Sequence, residues 1–187
     1  MFLVIGLGNP GKQYENSRHN LGFRVLDLLG NFTINKQGFG GWQTKKGLNQ
    51  FIKLEDVVLA KPETFMNKSG LAVKDLLKYY PDSELVVIHD DLDLPLGAMK
   101  IQKDASSAGH NGVRSIIDEI GTQDFIRIRL GIDNPQIRGQ IPGDDFVLQK
   151  FTQAEENIVK EVLEKAKDAI DVLQTQGLEI AQSKYNG

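Results

Sequence analysis

The chain contains no cysteine, and this absence excludes several kinds of chemistry at once. Disulfide bonds, thiolate metal sites and a cysteine nucleophile all need a thiol. None of the apolar runs approaches the ~18 residues of a membrane-spanning helix. The first residues also lack the basic and apolar stretches of a secretion signal. We therefore expect a cytoplasmic protein with no membrane partner.

An excess of positive charge is also missing. The formal net charge is −3, which argues against a protein that binds any nucleic acid through charge alone. A local basic face is still compatible with this total, because a polyanion responds to how charges are distributed. Several cations would converge if their segments form neighbouring strands, among them Lys100, Lys103, Arg129 and Arg138.

Apolar runs alternate with apolar residues at helical spacing, which predicts an α/β protein. We expect one domain, residues 1–187, with a mixed sheet and helices on both of its faces. The predicted strands span 2–7, 51–54, 57–61, 85–89, 99–103 and 125–130. The last of these strands has apolar residues facing inward and arginines facing outward. The predicted helices span 21–29 with a stop at Gly30, 67–80, 113–120 and 153–176. Residues 31–50 are expected to be irregular apart from an edge strand, 139–143 to form a loop, and the residues after 176 to form a flexible tail.

The first predicted strand leads into a G-x-G-x-x-G motif, formed by Gly6, Gly8 and Gly11. In a dinucleotide-binding turn, a helix starts at this loop and its N–H groups meet the pyrophosphate. Here a proline lies within the motif, and helical periodicity resumes only after residue 20. We therefore favour a sharp turn that brings Asn9 and His19 over the sheet.

Polar residues collect where the predicted strands end, which is where open α/β sheets bind their ligands. Asn9, Asn67 and Asp90 each follow a predicted strand, and His19 and His110 each precede a predicted helix. His19 is the best candidate for a general base, because imidazole titrates near neutral pH without a large perturbation.

Asp90 is the candidate for a carboxylate that orients His19. An aspartate that accepts the imidazole N–H fixes the tautomer and stabilises the imidazolium. Asp90 also begins an acidic run, so a divalent cation on Asp90, Asp91 and Asp93 is an alternative, because hard cations prefer several oxygen ligands. A strand-end turn with side-chain-to-backbone hydrogen bonds fits Asp91 and Asp93 better than Asp90.

Three asparagines, Asn9, Asn67 and Asn111, carry neutral amide groups near these residues. Such groups suit a substrate that contains amides and an ester, and they can donate to a developing oxyanion. Around one histidine, they predict a site that hydrolyses an acyl group. Since the chain has no cysteine and no G-x-S-x-G motif, we favour an activated water over a covalent intermediate.

Five ordered segments resemble those of the bacterial peptidyl-tRNA hydrolase family: GLGNPGKQYENSRHNLGF, KPETFMNKSG, HDDLDLPLGAMKI, GHNGVRSI and DFIRIRLGI. The resemblance extends from Phe2 to about Phe151. It implies a monomeric enzyme with a twisted mixed sheet, without a metal or other cofactor, which hydrolyses the ester of peptidyl-tRNA released from ribosomes.

The resemblance also implies roles for individual residues. By matching position, His19 is the general base, Asp90 stabilises its proton-accepting form, and Asn9 helps to distinguish peptidyl-tRNA from aminoacyl-tRNA. Contacts with the substrate and the tRNA are implied at Tyr14, Phe65, Met66, Asn67 and Asn111. Tyr14 and Phe65 would form an aromatic pair able to stack on the terminal adenine.

Two segments depart from the family pattern. Family members usually have a glycine-rich loop ahead of the second His-Asn, where this chain reads KDASSA at 103–108. The segment 143–146 is also acidic. These departures bear on the affinity for tRNA and its salt dependence, because phosphate contacts dominate both. The cations expected to meet the phosphates are Lys100, Lys103, Arg129 and Arg138.

Two other functions stay open at this point. One is a non-enzymatic RNA-binding protein of the same fold, and the other is a nicotinamide-dependent oxidoreductase. Binding of RNA alone requires neither a base nor a carboxylate that orients it. The presence of Asn9, His19, Asp90 and Asn111 therefore favours the enzyme.

Overall fold

The computed structural model describes residues 1–37, 41–45 and 47–186, and these are organised around one mixed β-sheet. The described strands are β1 (Phe2–Gly6), β2 (Gln43–Lys45), β3 (Asn49–Lys53), β4 (Val57–Pro62), β5 (Glu84–Pro95), β6 (Met99–Lys103) and β7 (Ile126–Asp133). Their spatial order is β2-β3-β4-β1-β5-β7-β6. β4, β1, β5 and β7 run parallel, whereas β2, β3 and β6 pair antiparallel with their neighbours.

Helices cover both faces of this sheet, which confirms the predicted α/β class. The described helices are α1 (Leu21–Gln37), α2 (Ser69–Leu77), α3 (Asn111–Ile120), α4 (Pro135–Arg138), α5 (Gly143–Leu148), α6 (Gln153–Gln176) and α7 (Leu178–Tyr185). Because side chains alternate along a strand, Val4 packs toward α1 and α6, while Leu3 and Ile5 pack toward α2 and α3. Among the residues described, no helix is both long and apolar enough to cross a membrane.

The carboxyl ends of β4, β1 and β5 lie at the same edge of the sheet, because these strands are parallel neighbours. The chain passes from β1 to β4 on one side and then crosses to β5 on the other side. Open α/β sheets bind ligands at such a reversal of strand order. The segments after β1 and β4 and the second half of β5 meet at this edge.

The glycine motif lets β1 and α1 approach each other closely. A Cβ at Gly6 would lie 2.3 Å from the backbone oxygen of Gly22, and Gly11 has a φ of +108°. α1 begins only at Leu21, after a 3-10 turn at Arg18–Asn20. The motif therefore supports a sharp turn and close packing rather than a helix that starts at the loop.

α1 is longer than the sequence predicts. The helix does not stop at Gly30 but continues to Gln37. Gly30 instead gives room to a neighbour, since a Cβ there would lie 3.0 Å from Ile52. The predicted edge strand is β2. Residues 38–40 and 46, part of the predicted irregular stretch, lie outside the described residues.

Two further predictions are wrong: that the strand ends before Asp90 and that the arginines of β7 face outward. β5 continues to Pro95, because it pairs with β7 beyond an irregularity that starts at Asp91. Arg127 is buried, and its guanidinium donates to the carbonyl of Ser106 at 2.6 Å. The loop after β6 therefore covers this part of β7.

The C-terminal third holds the predicted long helix and one departure from the predictions. The helix predicted for 153–176 is α6, and a capping box between Thr152 and Glu155 closes its N-terminus. The predicted loop is flanked by the short helices α4 and α5. The predicted flexible tail is wrong, because α7 buries Ala181 and Tyr185 against the core.

The side chain of Asn186 binds the outer edge of the sheet at β6. Its Oδ1 accepts from the backbone N–H of Ile101 at 2.6 Å, and its Nδ2 donates to the carbonyl of Ile101 at 2.8 Å. Gln182 donates to the same carbonyl at 3.2 Å. These bonds fasten the end of α7 to the edge strand.

Candidate active site

Asn9 lies in the turn after β1, where two other segments hold its backbone and its side chain. Its backbone N–H and C=O each form a hydrogen bond of 2.9 Å with the side-chain amide of Asn20. Its Oδ1 accepts from the backbone N–H of Met66 at 2.8 Å. Oδ1 is used in this way, whereas the donor group Nδ2 makes no hydrogen bond to the described residues.

His19 lies in the 3-10 turn before α1 and contacts Asp90 of β5. Its Nδ1 is 2.8 and 3.0 Å from the two carboxylate oxygens. An ionised carboxylate can only accept, so Nδ1 carries the proton and donates it. Nε2 then keeps its lone pair, and it makes no hydrogen bond to any of the described residues.

The charges around His19 make it a stronger base than a free imidazole. Burial acts to lower the pKa of His19, but Asp90 raises it through its charge and its hydrogen bond, and the charge of Asp144 raises it further. The net direction is upward from 6.5. Burial also acts to raise the pKa of Asp90, yet His19 and His110 hold that pKa well below its usual range.

A second imidazole, His110, shares the carboxylate of Asp90. Its Nε2 lies 3.1 Å from Asp90 Oδ1. Its Nδ1 accepts from the backbone N–H of Val113 at 3.2 Å, as the N-cap of α3. Because Nδ1 is an acceptor, the proton lies on Nε2 and is donated to Asp90. Both ring nitrogens of His110 are therefore in use.

The third histidine, His89, packs against His110 from within the protein. Their ring centroids are 4.6 Å apart, and Nδ1 of His89 donates to the backbone carbonyl of Asp90 at 2.7 Å. Burial, together with the charge of His110, lowers the pKa of His89 well below 6.5. His89 therefore stays neutral and contributes to packing.

Two cavities meet at His19. The first, which we call the Asn9 cavity, has a volume of about 260 Å³ and is lined by Asn9, His19, Phe65, Met66, Asn67 and Asn111, with Asp144, Val147 and Leu148 of α5. The second, which we call the aspartate cavity, has a volume of about 210 Å³ and is lined by His19, Asp90, Asp91, Asp93, His110 and Arg138, among others. Asp144 and Val147 line both cavities, so α5 covers the site.

The turn that carries His19 is tied to the C-terminal third by a buried ion pair. The guanidinium of Arg18 lies 2.8 Å from the carboxylate of Glu155 in α6. It also lies over the rings of Phe146 and Phe151, at 4.4 and 4.6 Å from their centroids. The position of His19 therefore depends on the packing of α5 and α6.

Known proteins match this chain over its whole length. The sequence model of the family named Peptidyl-tRNA hydrolase matches residues 3–187. The chain is 41% identical over 192 residues to the peptidyl-tRNA hydrolase of Chloroflexus aggregans, which covers 100% of this chain and 99% of that one. The chain belongs to the peptidyl-tRNA hydrolase family. The corresponding protein of Bdellovibrio bacteriovorus is 40% identical over 196 residues and covers 100% of both chains.

A solved structure of the family confirms the fold. The crystal structure of peptidyl-tRNA hydrolase from Acinetobacter baumannii has a TM-score of 0.85 with this chain at 28% identity. The similarity covers 100% of this chain and 95% of that one. The resemblance inferred from the five sequence segments is thus confirmed.

In this member of the peptidyl-tRNA hydrolase family, most of the side chains expected to contact substrate meet in one place. The Asn9 cavity brings together Asn9, Phe65, Met66, Asn67 and Asn111. The ring of Phe65 is 56% exposed, whereas Met66 is buried beneath the start of α3. Tyr14 lies in the turn after Gly11 and lines neither cavity.

The cations expected to meet phosphates do not form one face. Arg129 is engaged by the side chains of an aspartate and a glutamine. Lys103 pairs with Ile126 at the amino end of β7, far along the sheet from the site, and lies 3.6 Å from Asp124. Lys100 is exposed opposite Arg129 in register, and only Arg138 of the four lines a cavity of the site.

The acidic run does not converge on one point. Asp91 pairs with Arg129, and Asp93 lies 3.7 Å from Arg138. Asp90 instead lies with two imidazoles, and the potential ligand atoms of these three groups are within 4.8 Å of one another. Those atoms form the hydrogen bonds described above. The geometry therefore favours acid–base chemistry over a cation held by three aspartates.

Sequence reasoning missed two parts of the site. One is the bond from His110 to Asp90, although His110 precedes a helix as His19 does, and this shared pattern was a usable signal. The other is α5, whose side chains Asp144, Val147 and Leu148 line the Asn9 cavity. These residues lie in a segment without helical periodicity, and its acidic character in the sequence does not indicate that it lines a cavity.

Proposed function

We propose that this chain hydrolyses the ester bond between peptide and tRNA in peptidyl-tRNA, with a water molecule that His19 activates. The observation that carries this proposal is the unbonded Nε2 of His19, in a ring that lines both cavities while its Nδ1 is bonded to Asp90. A general base must keep a lone pair within reach of the water that it deprotonates. His110 contacts the same carboxylate but has no nitrogen left for this task.

The proposed reaction needs only the ester, a water molecule and the side chains of the site. Nε2 of His19 takes a proton as the water oxygen attacks the acyl carbon, and Asp90 stabilises the imidazolium that forms. When the tetrahedral intermediate breaks, the ribose oxygen of the tRNA leaves and recovers the proton from His19. The products are a tRNA with a free hydroxyl group and a peptide carboxylic acid, which releases its remaining proton to solvent and leaves as the carboxylate.

The Asn9 cavity suits the peptide side of the substrate. Nδ2 of Asn9 is available to donate to a peptide carbonyl, which free aminoacyl-tRNA does not have. Asn67 and Asn111 add exposed amides, and the exposed side chains of Phe65 and Leu148 form apolar walls. We infer that these groups hold the acyl chain while the ester carbon lies near His19.

We infer that the tRNA approaches the exposed side of the same cavity. The ring of Phe65 offers a face on which a terminal base stacks, and Tyr14 lies in the turn next to Asn9. Phosphate contacts are proposed for Lys100 and Arg138, whereas Arg129 is engaged by Asp91 and Gln102 and Lys103 lies farther along the sheet. On this proposal residues 1–187 form one catalytic domain that acts as a monomer in the cytoplasm, without a metal.

The alternative function is that of a protein that binds RNA without catalysis. The relatives at about 40% identity are named as hydrolases, which does not favour this alternative. Binding alone also gives no reason for a buried aspartate that holds an imidazole in one tautomer. The hydrolase is therefore the function that we propose.

The test is the release of labelled peptide from a purified N-acetylated aminoacyl-tRNA, with and without a chelator. The chain should release peptide at the same rate in both conditions. His19→Ala should lose at least about 100-fold in kcat, since a general base contributes 10²- to 10⁴-fold. Binding of uncharged tRNA and the melting temperature should stay close to those of the wild type.

Each contrary result has a distinct meaning. Wild-type rates in His19→Ala would remove His19 as the base. Loss of release with chelator would establish a metal requirement. Tight tRNA binding without any release by the wild type would favour the RNA-binding alternative.

A further inference from the structure

We propose that His110 is a positioning residue, which holds the carboxylate of Asp90 in the orientation in which it accepts from His19. The buried carboxylate receives side-chain hydrogen bonds from only two groups in the described part of the chain, and both are imidazoles. Asp90 Oδ1 accepts from His19 at 2.8 Å and from His110 at 3.1 Å. The kinetic part of this proposal rests on the proposed function, whereas its geometric part does not.

The start of α3 fixes the proton of His110 where Asp90 needs it. The backbone N–H of Val113 donates to Nδ1 at 3.2 Å, so that nitrogen cannot also carry a proton without losing the cap of the helix. With Nδ1 as an acceptor, the proton of the ring lies on Nε2, which points to Asp90. A backbone hydrogen bond in α3 thereby selects the tautomer of a side chain in the site.

Packing on two sides fixes the ring plane of His110. The ring of His19 lies at 4.9 Å and that of His89 at 4.6 Å between centroids. A Cβ at residue 112 would lie 3.1 Å from Cε1 of His110, so Gly112 also brings the backbone close to the ring. His110 is therefore held both by its neighbours and by its two hydrogen bonds.

Without the donor from His110, Asp90 would keep one partner for two oxygens in a buried place. The carboxylate could then rotate about its last side-chain bond, and its bond to His19 would lose its fixed geometry. A base that is misoriented by this rotation would catalyse more slowly without binding substrate less tightly. This consequence separates a positioning role from a role in binding.

Two substitutions each keep one of the two hydrogen bonds of His110 and remove the other. His110→Asn places its Oδ1 near the position of Nδ1, so it keeps the helix cap and loses the donor to Asp90. His110→Gln places its Nε2 near the position of the imidazole Nε2, so it keeps the donor and loses the cap. Each variant is therefore the matched control of the other.

The two variants should show opposite defects. His110→Asn should melt within about 2 °C of the wild type, while kcat for peptide release falls about tenfold at an unchanged KM, which corresponds to one lost hydrogen bond to a charged group. His110→Gln should melt about 3 °C lower because the cap is lost. Its kcat should stay within about threefold of the wild type.

Nitrogen NMR of the imidazoles gives a second readout that needs no substrate. The wild type should show His110 with its proton on Nε2 and none on Nδ1. The pKa of His19 should be higher in His110→Asn than in the wild type or in His110→Gln, because Asp90 no longer shares its charge with a second donor. The charged and titratable groups that face His19 or line the same cavity in this measurement are Asp90, Asp91 and Asp93 of β5, His110 ahead of α3, Arg138 of α4 and Asp144 of α5.

The outcomes separate the proposal from its rivals. Wild-type kcat and an unchanged pKa of His19 in His110→Asn would show that His110 is only a helix cap. Equal losses of kcat in both variants would show that the ring itself is needed and not its donor, which also overturns the proposal. If the wild type releases no peptide, the proposed function fails, and a shift in the pKa of His19 confined to His110→Asn still supports the positioning role.

Discussion

The buried carboxylate of Asp90 carries a single negative charge and accepts hydrogen bonds from two imidazoles, those of His19 and His110. One negative charge compensates only one imidazolium, so His19 and His110 cannot both be protonated at low cost. Nδ1 of His110 already accepts from the backbone of α3, so a second proton on that ring would cost the helix cap. On the proposed mechanism, the charge of Asp90 is therefore available to His19 when His19 takes a proton.

Asp90→Asn should change both the rate and the pH at which the base becomes active. In the wild type, Asp90 makes the pKa of His19 higher than 6.5. Without the carboxylate, burial lowers that pKa, so the acid limb of the pH profile of kcat/KM should move to lower pH. The maximal rate should fall at least about 100-fold, because the imidazolium is no longer stabilised. Profiles from about pH 5 to 9 measure both effects.

Asp93→Asn is the matched control for that change. It removes the same charge from the same strand and from the lining of the same cavity, but it leaves the bond between His19 and Asp90 intact. Its acid limb should move much less than that of Asp90→Asn. An equal shift in both variants would mean that the general field of the acidic run, and not the direct bond, sets the pKa of His19.

The residues of the Asn9 cavity were largely predictable, since polar side chains after parallel strands meet at one edge of a sheet. The partners of the charged side chains could not be predicted in this way. The alternation in β7 placed Arg127 and Arg129 outside, yet one is covered by a loop and the other is engaged by Asp91. Which charges pair depends on contacts between distant segments, and strand periodicity carries no information about them.

At the scale of secondary-structure elements, the junction of β1 and α1 sets the place of His19. The N–H of Leu7 donates to the carbonyl of Ile88 at 2.9 Å, and the N–H of Phe23 donates to the carbonyl of Leu7 at 3.2 Å. Gly22 lies against these groups, because a Cβ there would be 2.3 Å from the nitrogen of Leu7. The start of α1 is therefore fixed to the strands by backbone contacts.

Gly22→Ala should push α1 away from β1 and displace the adjoining turn. We expect a loss of about 3 kcal/mol in the free energy of unfolding, at the upper end of overpacking effects, since the contacted atoms belong to the backbone. The rate of peptide release should fall as well, because His19 lies three residues earlier. Denaturant titration and kcat are the measurements.

Gly41→Ala is the control at a glycine of the same chain that has no atom within 4 Å of its added Cβ. It should change the unfolding free energy by less than about 0.5 kcal/mol, as surface substitutions usually do. A Gly22→Ala protein as stable as Gly41→Ala would show that the junction of β1 and α1 can relax without cost.

The order and type of the elements followed from periodicity, but several boundaries did not. In the sequence Gly30 resembles the end of a helix. In the structure it lies within α1, where the absence of a side chain leaves room for Ile52 of β3. The acidic run stays in β5 because pairing with β7 outweighs the low strand propensity of aspartate. α7 has weak periodicity in the sequence, and packing of Ala181 and Tyr185 on the core makes up for it.

At the scale of the whole molecule, the ion pair of Arg18 and Glu155 joins the N-terminal site to the C-terminal helix. Burial acts to raise the pKa of Glu155, but hydrogen bonds from Asn134, Thr152 and Arg18 bring it below 4.5. The pair therefore adds stability above the pKa of Glu155 in the unfolded chain. That stability is lost as the pH falls through the lower pKa of the folded protein.

Glu155→Gln should leave the buried guanidinium of Arg18 without its counter-charge. We expect a loss of about 3 kcal/mol in the free energy of unfolding near neutral pH, as is usual when one partner of a buried pair is removed. The difference from the wild type should shrink as the pH falls from the pKa of Glu155 in the unfolded chain through its lower pKa in the folded protein, because the carboxylate then becomes protonated. Denaturant titrations at several pH values test this.

Glu156→Gln is the neighbouring control, since Glu156 pairs with Arg24 in a more exposed place. Its effect should be about 1 kcal/mol or less. Equal effects of Glu155→Gln and Glu156→Gln would contradict a special role for the buried pair in joining the site to α6.

The side chain of Asn186 at the edge of β6 has a consequence for how copies of the protein meet. An open edge strand presents free N–H and C=O groups, onto which a strand of another chain can add. The amide of Asn186 imitates a peptide group and occupies both of those groups at Ile101. At the other edge, the sheet ends in β2, which has only three residues. Both borders of the sheet thus discourage the strand-by-strand association that leads to aggregates.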